Sequence, residues 1–261
     1  LDAEATLTIG DDTYIGFADR YDLFFEAFGE HPAEVEGFFR RVFERGCVRS
    51  VLDCACGTGH DLVLLEKLGL EVVGSDISGA MLGRARKNLT GLGFEIPLVK
   101  ADFRDLRTGF DRDFDAVLCL SSSILEMPDE AEVLKAFSSM RQVLAEGGVL
   151  VLSQGTTDKQ WKEQPRFILA VNRGDFSRLF VIDYDDSGAR YNVLDIFHGA
   201  GVFDFKVWSV HYHMMLLRDD LERLLTQAGF GHIEFYGSYA GEPYDKTSSN
   251  ILIAVAHKGA P

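Results

Sequence analysis

From residue 33 to residue 153, short apolar runs alternate with longer stretches whose apolar residues recur every three or four positions. Val35, Phe38, Phe39, Val42 and Phe43 share one face of a predicted helix over 33–45, which Gly46 ends. A strand over 49–53 leads into the glycine turn Ala55-Cys-Gly-Thr-Gly59, a helix over 61–68 and a second strand over 71–75 that closes on Asp76. Ser78 then caps a helix to about residue 89. Further strands are expected over 96–100, 114–120 and 148–153, with a helix over 129–144 before the last. Strands and helices alternating in this way predict an α/β fold, a parallel sheet with helices on both faces. A ligand should bind beyond the carboxyl ends of such strands, where Asp53, Asp76, Asp102 and Ser121 stand.

At Gln154 the period changes from helical to strand-like. Four β-rich runs at 167–172, 178–184, 191–197 and 203–213 are joined by turn sequences such as Asp185-Asp-Ser-Gly188, which predicts an inserted antiparallel meander. A helix over 219–228 and strands over 233–239 and 250–256 then return to the main sheet and close it with a hairpin. Before all of this lies an aromatic stretch with Tyr14, Phe17, Tyr21, Phe24, Phe25 and Phe28. The expected organisation is an N-terminal arm over 1–49, a core over 50–153 and 216–261, and a β insertion over 154–215 that forms an acceptor lid or a subunit interface. An open edge of that meander could pair two subunits into a homo-oligomer.

Composition narrows the functions. The 261 residues are 46% hydrophobic and 26% charged, which suits a globular chain and excludes wholesale disorder. Forty-one acidic residues against 26 basic ones leave −15, so a nucleic acid is a poor partner. No run of about 18 apolar residues offers a membrane span, and the first ten residues do not read as a signal peptide. Cys47, Cys54, Cys56 and Cys119 lack the spacing of a zinc site, so no metal is expected; they suit reduced thiols in the cytoplasm.

The chemistry concentrates in Val51-Leu-Asp-Cys-Ala-Cys-Gly-Thr-Gly-His-Asp61. Gly57 and Gly59 permit a sharp turn and close approach of a ligand. Leu62 stands where a dinucleotide fingerprint has its third glycine, and Asp53 would repel a pyrophosphate but could hold an ammonium group, which disfavours an NAD-dependent oxidoreductase. Asp76, 17 residues after Gly59, suits two ribose hydroxyls. Adenosine with an amino-acid tail and no phosphates is S-adenosylmethionine.

These residues resemble the class I S-adenosylmethionine-dependent methyltransferases. The stretch 46–82, together with 114–120, Ser123 and Pro128-Asp129, is similar to glycine and glycine/sarcosine N-methyltransferases. The inserted sheet and the helix after it also resemble amino-sugar N,N-dimethyltransferases. The resemblance implies a Rossmann-like, seven-stranded, mostly parallel sheet with a closing antiparallel hairpin. It assigns Ala55, Gly57 and Gly59 to the methionine portion of the cofactor and Asp76 to the ribose. Ile77 and Met81 go to the adenine, Asp102 and Phe103 to its amino group, and Leu120 and Ser121 to the sulfonium. Tyr21 would close over the methyl donor, with S-adenosylhomocysteine as the product. Two stretches depart from glycine N-methyltransferase: His31-Pro32, where that enzyme has an arginine before Ala33-Glu34, and Ser153-Gln-Gly-Thr-Thr157, where it has a His-Arg-Asn-Tyr run.

The acceptor side rests on single residues. His211 is a candidate to position or deprotonate an acceptor, and Ser123, Arg166 and Arg178 are candidate acceptor contacts, the arginines as grips for a carboxylate. The expected function is methyl transfer to a small molecule, favouring the nitrogen of an amino acid or related amine of the glycine/sarcosine type. The alternatives are N- or O-methylation of an amino sugar or other secondary metabolite, and a non-catalytic protein that binds S-adenosylmethionine.

Overall fold

The computed structural model describes residues 13–199, 201 and 203–259, so the first twelve residues of the expected arm lie outside the described residues. Its main sheet has seven strands: β1 (Ser50–Asp53), β2 (Glu71–Asp76), β3 (Leu98–Lys100), β4 (Phe114–Cys119), β5 (Leu144–Gln154), β10 (Phe230–Tyr236) and β11 (Leu252–Lys258). They lie in the order β10-β11-β5-β4-β1-β2-β3. The first five are parallel to one another, and β11 runs antiparallel to both β5 and β10. The expected α/β sheet with a closing hairpin is therefore present. The chain reverses its direction of winding between β1 and β4, and a ligand cleft opens at such a switch point.

Helices α2 (Ala33–Arg45), α3 (His60–Lys67), α4 (Gly79–Leu92), α5 (Glu130–Val143) and α7 (Arg218–Gln227) cover the sheet. Their ends follow from local chemistry. Ser78 accepts the N–H of Met81 at 3.1 Å, and Asp129 accepts that of Glu132 at 3.0 Å, so each caps its helix. One face of the sheet packs on α5 and α7 through Phe137, Met140, Leu221 and Leu224; the other packs on α2 and α3 through Phe39, Phe43, Leu62 and Leu65. Both faces are apolar because both are covered.

Between β5 and α7 a second sheet is inserted, with β6 (Phe167–Arg173), β7 (Phe176–Tyr184), β8 (Ala189–Phe197) and β9 (Asp204–Tyr212) in sequential antiparallel order. A short helix, α6 (Asp158–Glu163), precedes it and was not expected. Thr157 caps α6 by accepting the N–H of Gln160 at 3.2 Å, so Thr157-x-x-Gln160 was its signature. The short helix α1 (Ala18–Tyr21) and the turn after it run between the two sheets. Phe17 stacks on Trp208 of β9 with ring centroids 4.3 Å apart, and Arg84 of α4 binds Asp22 at 2.7 Å. The arm thus joins the inserted sheet to the core.

One expectation about this sheet is corrected. His211, the candidate to position or deprotonate an acceptor, shares its strand face with Phe203, Phe205 and Val207, and those three apolar residues are exposed. Side chains alternate along a strand. With Trp208, Val210 and Tyr212 turned inward, His211 faces out, where its Nε2 meets Asp185 at 3.1 Å.

Candidate active site

Two cavities meet above the carboxyl ends of β1, β2 and β4. The smaller is bounded by Cys54, Ala55 and Gly57 of the glycine turn, by Asp76, Ile77 and Met81, and by Phe103, Ser121, Ser123 and Glu126. Gly57 has φ +53°, and a Cβ there would meet nothing within 4 Å, so the turn leaves a cradle open to a ligand. Gly59 has φ +87° and starts α3 close against Ala85 of α4, which suits a packing role. The Asp76 carboxylate is oriented by two backbone N–H groups, Gly57 and Ser78, each at 2.8 Å. A carboxylate oriented in this way suits the two hydroxyls of a diol. Ile77 is exposed beside it as an apolar surface.

Asp53 is buried at the end of β1, behind the Cys54 and Ala55 wall of this cavity rather than in its lining, and accepts the N–H of Ala55 at 3.2 Å. Burial, with the charges of Asp61 and Asp76 adding to it, raises its pKa. A buried carboxylate of this kind calls for a cationic group. Diol acceptor, apolar ledge, glycine cradle and buried carboxylate fit adenosine joined to an amino acid. Asp102 lies off this cavity: Arg104 holds its carboxylate through Nε at 2.9 Å and through Nη2, and also pairs with Glu132. Phe103 lines the cavity instead. Leu120 is buried behind Ser121.

Ser121 and Ser122 carry φ of +56° and +71°. Two successive non-glycine residues in the left-handed region are strained, and such strain persists where the surroundings impose it. Here the end of β5 does so: the Ser121 N–H donates to Ser153 Oγ at 3.1 Å and the Ser122 N–H to the Ser153 carbonyl at 2.9 Å. This kinked segment separates the two cavities.

The larger cavity is about 680 Å³ and lies between the arm, the start of α6 and the inner face of the inserted sheet. Its walls are rich in aromatic side chains, with Phe24, Phe180, Tyr191, Trp208 and Tyr212 among them. The only cationic side chain in its wall among the described residues is Lys159, which donates to Asn250 at 2.9 Å, and Glu163 stands in the same wall. Tyr14, Tyr21 and Ser121 border both cavities. Burial holds the Tyr21 hydroxyl far above its ordinary pKa, so it is neutral at any working pH.

Of the expected acceptor contacts, three are placed elsewhere. Ser123 borders the smaller cavity and donates to the Leu120 carbonyl at 2.9 Å. Arg166 is largely exposed and pairs with Asp183 at 3.0 Å, outside both walls. Arg178 is wholly buried: its Nε and Nη2 meet Asp195 at 2.6 and 3.0 Å, and Nη2 also reaches the Arg20 carbonyl at 2.8 Å. Neither arginine lines the cavity; Arg178 gives Nε and Nη2 to these partners, and only its buried Nη1 is without one. Arg166→Ala is accordingly expected to leave the acceptor KM unchanged and to alter stability by less than about 0.5 kcal/mol, since exposed pairs contribute little. A severalfold rise in KM would return Arg166 to the acceptor.

Three contributors were not anticipated as site residues: Tyr14, Trp208 and Glu126. Glu126 ends the short 3-10 helix Ser123–Glu126 that follows β4, and its Oε1 accepts the Tyr14 hydroxyl at 2.5 Å. Burial, helped by the charge of Asp76 and opposed by the Tyr14 hydrogen bond, pushes its pKa up to about 7. Nearby, His31, His60 and Asp61 bring three metal-capable atoms within 4.8 Å of one another. Two of them already serve the fold: His31 Nε2 meets Asp61 at 2.8 Å, and His60 Nδ1 accepts the Gly29 N–H at 2.9 Å. Burial lowers the His60 pKa to about 4, so the ring is neutral where it stacks on Phe25.

The sheet order, the glycine turn and the two adjoining cavities define a methyl-transfer enzyme. The chain belongs to the class I S-adenosylmethionine-dependent methyltransferases, with residues 51–148 matching the family described as "Methyltransferase domain". It is 30% identical to a glycine/sarcosine N-methyltransferase from Aphanothece halophytica over 249 residues, 93% of this chain and 88% of that one. In structure it is similar to an S-adenosylmethionine-dependent methyltransferase from Clostridium acetobutylicum, with TM-score 0.78 and 17% identity over 94% and 99% of the two chains. It is also similar to a sugar N-methyltransferase from Streptoalloteichus, with TM-score 0.67 and 27% identity over 98% of each.

Proposed function

We propose that this enzyme methylates the nitrogen of a ring-bearing small-molecule amine larger than glycine. The observation that carries this reading is the acceptor cavity: about 680 Å³, with nine aromatic side chains in its wall. Clefts of roughly 300–1,000 Å³ suit drug-sized ligands, whereas an amino acid of the glycine type would leave most of this one empty. The placement of Arg166 and Arg178 away from both walls removes the carboxylate grip that a glycine-type acceptor would use. Similarity to a sugar N-methyltransferase supports the same direction, and similarity to a glycine/sarcosine enzyme supports nitrogen as the attacked atom.

When bound, S-adenosylmethionine supplies a methyl group already activated by the positive sulfur. The protein's residues need only hold, align and dry the reactants. Asp76 receives the ribose hydroxyls, Asp53 the ammonium of the methionine portion, and Ile77 and Phe103 flank the base. Ser121, fixed by its strained backbone, stands where the methyl crosses from one cavity to the other. Tyr21 and Tyr14 close the junction with hydroxyls that carry no charge at neutral pH.

The test is transfer of label from methyl-labelled S-adenosylmethionine to a panel of glycine, sarcosine, dimethylglycine, amino sugars and arylalkyl amines. Labelling of ring-bearing amines, with glycine at least tenfold slower in kcat/KM, is the expected result. Glycine or sarcosine as the best acceptor would overturn the size argument while leaving the methyltransferase. Tight binding of the donor with no transfer to any amine would favour a non-catalytic binding protein.

A further inference from the structure

We infer that the acceptor enters as its ammonium ion and that Glu126 is the carboxylate that receives it and takes its proton before methyl transfer. This rests on the amine reading above and adds the charge state of the substrate and the base that changes it.

Glu126 is half-buried and borders the smaller cavity. Among the described residues no lysine, arginine or histidine pairs with it, and the Tyr14 hydroxyl donates to it. Two other interior carboxylates have such partners, Arg178 and Arg20 for Asp195 and Arg84 for Asp22, whereas Asp53 likewise lacks one and is given to the donor's ammonium. A carboxylate drawn away from water without a counter-charge is costly, and a cation brought by a ligand removes that cost. Tyr14, which orients Glu126, borders the acceptor cavity as well. The carboxylate therefore stands at the junction the amine must reach. The other titratable groups facing it are the hydroxyls of Tyr21 and Tyr212 and the carboxylate of Asp76, none of them cationic.

The charges balance through the reaction. An ammonium nitrogen has no lone pair and cannot attack. Its proton passes to Glu126, leaving a neutral amine and a neutral carboxylic acid. The nitrogen lone pair then forms the new C–N bond while the C–S bond breaks, its electron pair staying on sulfur. The products are a methylated ammonium ion and a neutral thioether, and Glu126 returns its proton to solvent after release. A carboxylate left ionised beside the sulfonium would stabilise the ground state, in which that charge exists, over the transition state, in which it is fading. Protonation by the substrate removes this brake at the moment the nucleophile appears. A group titrating near neutrality suits such an exchange.

The test compares two probes of one shape, N-methylbenzylammonium and the uncharged benzyl methyl ether, binding to the complex with S-adenosylhomocysteine. Calorimetry at about pH 8 keeps the amine protonated and a carboxyl titrating near 7 ionised. The ammonium is expected to bind wild type roughly tenfold or more tightly than the ether. Glu126→Gln, saturated with S-adenosylhomocysteine before either probe is added, should abolish that preference by weakening ammonium binding to the level of the ether. Tyr14→Phe keeps the carboxylate but loses the hydrogen bond that favours its ionised form, so ammonium binding should set in at higher pH. A preference that survives Glu126→Gln, or failure of wild type to prefer the ammonium, would overturn the proposal and leave the methyltransferase intact. Failure of wild type to bind S-adenosylhomocysteine, read before any probe is added, would overturn the donor site and this proposal together.

Discussion

Replacing Asp76 by alanine is expected to remove measurable S-adenosylmethionine binding. The carboxylate is fixed by the N–H groups of Gly57 and Ser78, both at 2.8 Å, so it meets a ribose without first losing side-chain freedom. Two hydrogen bonds to a charged acceptor contribute about 1.5–3 kcal/mol each, so their loss weakens binding by a factor of several hundred or more. The substitution also strands the two N–H donors, and with the Gly57 donor free the glycine turn loses a restraint on its cradle. Asp76→Asn keeps one acceptor oxygen and should fall between the two. Calorimetry against S-adenosylmethionine decides it: micromolar affinity retained in Asp76→Ala would sink the ribose role.

The second large effect is on stability. Arg178→Met is expected to cost about 3–5 kcal/mol, because it leaves Asp195 in the interior with a single cation, Arg20, where it had two. For a chain of this size that corresponds to a fall of roughly 10 °C in Tm. The guanidinium also lies 4.1 Å from the ring of Phe24 and bonds the Arg20 carbonyl, so it ties the arm to the inserted sheet. The arm's share of the acceptor wall should loosen with it, and amine binding should weaken more than donor binding. Adding Asp195→Leu removes the buried charge itself and should recover most of the stability. A Tm within a degree or two of wild type in Arg178→Met would show that the pair does not hold the arm.

The order of these residues in the sheet was legible because parallel strands buried on both faces announce themselves as apolar runs, and Gly57, Gly59 and Asp76 sit at their ends by simple spacing. The acceptor side was not legible, for reasons particular to each residue. In β9 both alternating faces are apolar, Phe205 and Val207 on one and Trp208, Val210 and Tyr212 on the other, so alternation could not say which faces in. Arg178 is buried because register puts Asp195 directly opposite it, a pairing across a hairpin that no spacing along the chain reveals. Glu126 owes its surroundings to Tyr14, 112 positions earlier, and an acid after three serines looks like ordinary surface sequence until the arm folds over it.

The two cavities draw on different parts of the chain, and among their described walls only Tyr14, Tyr21 and Ser121 belong to both. Apart from Tyr14 and Tyr21, the described donor wall is carried by the strand ends of the core and the segments that follow them. Apart from Ser121, Ser122 and Asn250, the described acceptor wall comes from the arm, α6 and its flanks, and the inserted sheet. Mutational drift in those outer pieces can therefore explore new acceptors while the donor machinery stays untouched. In such a scaffold, overall sequence similarity tracks the inherited donor chemistry, and kinship alone is a poor guide to diet.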